Sequence, residues 1–248
     1  MTWSDFVLIV QDRLHDDNIG NDLEAVIIRA SNRALRRINR GEISNEKRVR
    51  RVGYDFQKQT TSVTYDADTL EYNFTTLGIT VADFKFAWDM RINSDENRAF
   101  EFIEPTNLRY KRGVLGSRSS VFALDNDGAT KQLLIYNGND DTLDFEWYSN
   151  YMVLDSSSRK VNVPTDVANV TFLMPDEFVE SPLADYTAAY ILRDYESSNS
   201  ERASGLFNDG DNGLLSMRES IGVLEKKPAT KIKIHSEWNQ TQTRITKR

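Results

Sequence analysis

The spacing of apolar residues changes period twice along this chain, and that switch limits the fold more than any motif does. Phe6, Val10 and Leu14 stand four apart, and Leu23, Val26, Ile27, Ala30, Ala34 and Ile38 recur at helical spacing. From about Arg51 to Phe178 the period becomes two. Val63 and Tyr65, Tyr72 and Phe74, Phe84-x-Phe86-x-Trp88, Phe100-x-Phe102 and Phe145-x-Trp147 alternate with other residues, as strands with one buried face do. Helical spacing then returns. Ala184, Ala188, Ile191 and Tyr195 form one stripe and Leu183, Tyr186 and Tyr190 another, which suits a helix wedged between two layers. Leu214, Met217, Ile221 and Leu224 mark a last amphipathic helix.

Most strands have no helix-length segment between them, so antiparallel hairpins are expected rather than parallel crossovers. The expected class is α+β: a helical core from the N- and C-terminal helices, with a large antiparallel β insertion and an extended C-terminal tail. The expected segments are residues 1–50, 51–178, 179–225 and 226–248. In a single compact unit, residues 1–40 and 181–225 would pack together, because neither end can bury its apolar stripe alone.

Local chemistry supplies the punctuation. Ser4 is placed to cap the first helix and Asn18-Ile19-Gly20 to break it, while Asn21 with Glu24 spells a capping box for the second and Gly41 a stop. Turns are expected at Asp66-Ala67-Asp68, Asn93-Ser94-Asp95, Asp125 to Gly128, Asn137 to Asp140 and Asp155 to Ser158. A helical turn is expected after Pro105. Ser181 and Pro182 read as the start of a late helix, and Asn208-Asp209-Gly210-Asp211-Asn212-Gly213 as a loop.

Composition removes whole classes of chemistry. With no Cys and two His, thiolate zinc sites, disulfides and cysteine nucleophiles are excluded, and an imidazole metal cluster is not expected. The Asn208–Gly213 run fails as a calcium loop: twelve positions counted from Asp209 end on Ser220, not Glu. There is no Walker motif, no G-x-G-x-x-G and no nucleophile elbow beside His15, so no catalytic residue, cofactor or metal is expected. No leader peptide is expected, and no stretch approaches 18 apolar residues, so no membrane span is expected.

Charge is unevenly placed. The net charge is -7, yet residues 29–51 hold nine Lys/Arg against Glu42 and Glu46, and residues 226–248 hold seven against Glu237. At 100° per residue, Arg29, Arg33, Arg36 and Arg40 fall within about 60° of one another on the second helix. That strip is a candidate surface for phosphate or for an acidic neighbour, continued by Lys47, Arg48, Arg50 and Arg51. In the tail, Lys231, Lys233 and Arg244 interleave with Ile232, Ile234 and Trp238, a pattern for a segment that orders on a partner.

The layout resembles the head-to-tail adaptor (connector, or head completion) proteins of tailed bacteriophages. The resemblance covers residues 1–225 and rests on order. It runs from Asp5-Phe6-Val7 and Asn32-Arg33-Ala34-Leu35-Arg36-Arg37-Ile38, through Gln132 to Tyr136 and Asp144 to Tyr148, to Asp176 ahead of Ser181-Pro182-Leu183 and the Ala- and Tyr-rich helix. It implies a non-enzymatic structural protein of the virion neck, assembled in the host cytoplasm. About a dozen copies, a dodecamer, would form a ring beneath the portal protein. Genomic DNA would pass through the lumen, and a tail or nozzle protein would follow. The strip Arg29, Arg33, Arg36 and Arg40 would face the channel or a neighbouring subunit, and Lys231, Ile232, Lys233, Ile234, Trp238 and Arg244 would dock on the portal. The alternative is a glycan- or protein-binding β module of a phage tail or receptor-binding protein.

Overall fold

The computed structural model describes residues 1–14, 24–44, 46, 51–93, 95–111, 120–127, 130–137, 141–155, 157, 159–161, 163–164, 170–195 and 200–229. The fold is α+β. The chain forms two units: residues 1–59, 82–86 and 148–225, and residues 60–81, 87–147 and 226–248.

The first unit is helical at its centre. It holds α1 (Trp3–Leu14), α2 (Glu24–Arg40), the short α4 (Asp176–Phe178), α5 (Ala184–Tyr195) and α6 (Ser200–Ile221). Helices from both ends of the chain share one core, in which Phe6, Val10, Ile27, Ala34, Leu35, Ile38, Leu183, Ala188, Leu214 and Met217 are buried. Helix α5 lies against α1, α2 and α6. From Ala184 to Leu192 it is buried all round, as its two stripes require: Tyr186, Thr187, Ala188 and Ala189 are all closed to solvent. Thr187 donates its hydroxyl to the Leu183 carbonyl at 2.8 Å, and Asp185 pairs with Arg13 at 2.8 Å.

The strands β1 (Val52–Tyr54) and β13 (Gly222–Leu224) form an antiparallel pair in this unit, and β10 (Val153–Leu154) pairs with β11 (Lys160–Val161) and β12 (Thr171–Phe172). The helical unit therefore takes in residues 51–59, 82–86 and 148–178, so the divisions at 50/51 and 178/179 do not separate the units. Val52, Tyr54, Met152, Val153 and Phe172 are buried in the same core as the helices, which is why these short strands belong there.

The second unit holds most of two sheets. One has the order β2 (Lys58–Tyr65), β9 (Asp141–Ser149), β4 (Phe84–Ile92), β5 (Asp95–Ala99); the other runs β3 (Glu71–Asn73), β8 (Thr130–Tyr136), β7 (Val121–Asp127), β6 (Glu101–Phe102). The β7–β8 hairpin keeps register from Val121↔Tyr136 to Asp127↔Thr130, so Asp125, Asn126 and Asp127, expected in a turn, are strand residues, and Gly128 lies outside the described residues. Helix α3 (Pro105–Lys111) follows Pro105 as expected.

Several local expectations are corrected. Thr2, not Ser4, caps α1: the Asp5 amide donates to the Thr2 hydroxyl at 3.3 Å while the Thr2 amide donates to the Asp5 carboxylate at 3.2 Å. The Asn208–Gly213 run is helical, within α6. Its glycines serve packing rather than a turn, since a Cβ at Gly210 would lie 2.7 Å from the Tyr186 ring. Ser181 has extended φ/ψ between α4 and α5, so the late helix proper begins at Ala184. Leu224 lies in β13 rather than in a helix. Strand β6 pairs with β7 in parallel. Strand β4, third in its sheet and flanked by β9 and β5, is buried on both faces instead of one. Lys85 there donates to Asn39 at 2.7 Å and to Gln57 at 3.0 Å. The Asn21 cap, Lys47, Arg48, Arg50 and His15 lie outside the described residues.

Candidate functional site: the arginine face of the second helix

Helix α2 buries Val26, Ile27, Ala30, Ala34, Leu35 and Ile38 and ends as its sequence requires. Gly41 takes φ 60°, its amide donates to Ile38 O at 2.7 Å, and the Glu42 amide donates to Arg37 O at 3.1 Å. These two bonds form the paired closure of a helix that stops on glycine. The opposite face carries Arg29, Arg33, Arg36 and Arg40, all exposed.

The four are not equivalent. Arg33 pairs with Asp194 and sits 4.4 Å above the Tyr190 ring, so its charge is engaged within the unit. Arg193 approaches the same ring at 5.0 Å and the same carboxylate at 3.3 Å. Arg40 meets Glu42 at 3.6 Å, with both side chains open to solvent. Arg29 donates to its own helix, to Ala25 O at 3.3 Å. Arg29 and Arg36 make no ion pair with any described residue. The positive face thus rests on Arg29 and Arg36, with Arg40 weakly masked.

Arg37 is the residue that the angular argument for the strip passes over. On the helical wheel it stands about 80° from Arg29, between Val26 and Ala30, which points it toward the core side. Its guanidinium donates to Asp211 at 2.8 Å and to the Ser44 hydroxyl at 2.7 Å, and lies 4.6 Å from the Tyr186 ring. Tyr186 donates to the same Asp211 oxygen at 2.6 Å, and the Ser44 amide donates to the other oxygen at 3.1 Å.

The titration of this cluster follows from those contacts. Burial pushes the Tyr186 phenol well up, and its bond to Asp211 adds to the rise. Burial alone would raise Asp211, but the Ser44 and Tyr186 hydrogen bonds and the Arg37 charge hold it below the usual carboxylate range. For Arg37, burial opposes the charge, yet Tyr186, Tyr190 and Asp211 outweigh it and the guanidinium stays protonated. The cluster carries its charges in pairs and clamps α2 to α5 and α6.

The tail begins fastened rather than free. Lys226 lies 4.0 Å from the Trp88 ring, the Ala229 amide donates to Phe102 O at 2.8 Å, and the Glu104 amide donates to Ala229 O at 3.3 Å. Lys231, Ile232, Lys233, Ile234, Trp238 and Arg244 lie outside the described residues.

Among the described residues, no group of three His, Asp or Glu could hold a metal ion, and no helix is long and apolar enough to cross a membrane. What the arginine face can do chemically is bind anions through exposed, permanently charged guanidinium groups. In comparisons with known proteins, no family model and no curated protein matches this chain.

Proposed function

We propose that this chain is a head-to-tail adaptor of a tailed-phage virion. Copies of it would form a ring, a dodecamer, joining the portal protein to a tail or nozzle protein around the genomic DNA. Its role would be structural, without catalysis or a cofactor. The observation that carries the reading is the arginine face of α2: four exposed arginines, of which Arg29, Arg36 and Arg40 are not held by Asp194 and Tyr190, on a helix of a chain whose net charge is -7. Cationic charge gathered in separate segments holds a polyanion by salt-sensitive phosphate contacts while the acidic body between them limits the grip, as a conduit for DNA requires. Helices from both chain ends meeting in one core, with the β segments between them, support the reading by agreeing with the layout of that family.

The test is native mass measurement of the purified protein mixed with the portal ring encoded in the same genome. A ring of this chain added to the portal is the expected result. A portal ring whose mass does not change would overturn the proposal.

A further inference from the structure

We infer that a groove beside β13 receives residues 231–235 of a second copy of this chain as an added β-strand. The inference rests on the self-assembly proposed above and names the surfaces that perform it. It does not depend on the portal.

The groove has a volume of about 290 Å³ and is lined by Val52, Leu215, Arg218, Glu219, Gly222 and Leu224. Leu215 is 44% exposed and Leu224 51% exposed, two large apolar side chains open to water side by side along one depression. The β1–β13 ladder ends there. Among the described residues β13 has a strand on one side only, with Val52 opposite Leu224 and Gly53 opposite Val223. The Glu225 amide donates to Arg51 O at 2.9 Å, which makes 225/51 a hydrogen-bonded pair. Antiparallel pairs alternate, so Val223 spends its backbone groups on Gly53 while those of Leu224 face the open edge. An open edge flanked by apolar side chains is the geometry for strand addition.

Charge selects the occupant. Arg218 is already neutralised by both oxygens of Glu46. Glu219 is exposed and Glu225 half-buried; Glu219 acts on Arg218 only through its field, behind the Glu46 bridge. The open edge is therefore apolar with an acidic rim. Lys231-Ile232-Lys233-Ile234-His235 is its complement. In an extended strand Ile232 and Ile234 share one face, and Lys231 and Lys233 the other. The isoleucines match Leu215 and Leu224, and the lysines come within reach of Glu219 and Glu225.

The geometry of the exit favours a second copy. Glu225 is bound to Arg51, Lys226 is seated on Trp88, and Ala229 is bonded to both Phe102 and Glu104, so the segment between groove and tail is committed. Only Thr230 separates Ala229 from Lys231. Residues 231–235 lie within six positions of the fastened Ala229, so when extended they reach about 20 Å from it, to a copy packed alongside.

Because the chain contains no Cys, disulfide trapping is clean. The full-length protein carrying Leu224→Cys together with Ile232→Cys, oxidised without any portal present, should give a ladder of intermolecular dimers and higher species. A product confined to intrachain closure, or no cross-link, would overturn the inference. Independently, Leu224→Glu at this exposed position should weaken self-association of the full chain at least tenfold by sedimentation, with unchanged circular dichroism. Mixing it with an Ile232→Asp/Ile234→Asp variant should yield only 1:1 dimers. Unchanged self-association in either variant alone would also overturn it. A chain that cross-links in this way but ignores the portal would uphold this inference and defeat the adaptor reading, so the two fail separately.

Discussion

The two units solve their polar problems in opposite ways. In the helical unit, Arg37, Asp211, Tyr186 and Ser44 are joined from three distant stretches of chain into a half-buried network with two aromatic rings against the guanidinium. In the β-rich unit the comparable arginine, Arg109, is 42% exposed and bridges Glu71 at 3.1 Å and Asp125 at 2.7 Å near the surface. Burial makes the first arrangement expensive to damage, and solvent makes the second cheap. The difference teaches that charge in this molecule is structural where it is sequestered and available to partners where it is not.

The largest test of that contrast is Arg37→Ala against Arg109→Ala. Urea unfolding should show a loss of about 3 kcal/mol for the first, because Asp211 is left half-buried without its cation. The second should cost about 1 kcal/mol or less. Equal losses would break the comparison.

Two glycines of α6 give a sharper pair. Gly210→Ala should destabilise by about 2 kcal/mol in thermal denaturation, since the fully buried Tyr186 ring has no room to yield. Gly205→Ala, with nothing within 4 Å of its added methyl, should instead stabilise by about 0.5–1 kcal/mol through helix propensity.

Tyr186→Phe comes next, with a loss of about 1.5 kcal/mol at neutral pH from the missing donor to Asp211. Its pH dependence has a defined sign. The folded phenol titrates above the unfolded value near 10, so its contribution is intact below about pH 10 and fades as pH rises toward the folded value. Asp211 is shifted the other way, so its share holds above about pH 4 and is lost in stronger acid. Stability measured from pH 3 to 11 should lose part of both limbs in the Phe variant, because the same hydroxyl also holds Asp211 down, with Ser44 and Arg37 keeping the rest of the acid limb.

The smallest expected effect belongs to the exposed face. Replacing Arg29, Arg36 and Arg40 with Gln should change stability by no more than about 0.5 kcal/mol per site. The same triple variant should lower the salt sensitivity of any duplex DNA binding by up to about 0.9 per lost phosphate contact. Wild-type salt dependence in the triple variant would remove DNA as the target of this face.

Much of this was legible in local pattern. The helical period of α2, its glycine stop and the common exposure of Arg29, Arg33, Arg36 and Arg40 all follow from spacing and cap chemistry. The rest depends on distant neighbours. Asn208–Gly213 spells a loop by composition, and becomes helix because Gly210 admits Tyr186 and Asp211 meets Arg37. Arg33 counts as one of four equal arginines on a helical wheel, yet Asp194 and Tyr190 single it out. Lys85 breaks a run of strand alternation because Asn39 and Gln57 supply oxygens that no window around it contains. Leu224 keeps helical spacing with Ile221 but leaves the helix to pair with Val52.

The shared core of the first and last helices also sets a timetable for synthesis. Ile38 and Met217 are buried in one cluster, yet roughly 180 residues separate them in the chain. At about 5–20 residues per second, a ribosome needs on the order of 10–35 s to deliver the second after the first. Through that interval the apolar faces of α1 and α2 have emerged without α5 and α6 to cover them, while both strands of the β7–β8 hairpin lie within a contiguous stretch of 16 residues and can close as soon as they are made. The nascent chain therefore carries its earliest segments as its latest to be sheltered, and those segments are where a holding chaperone would have to work.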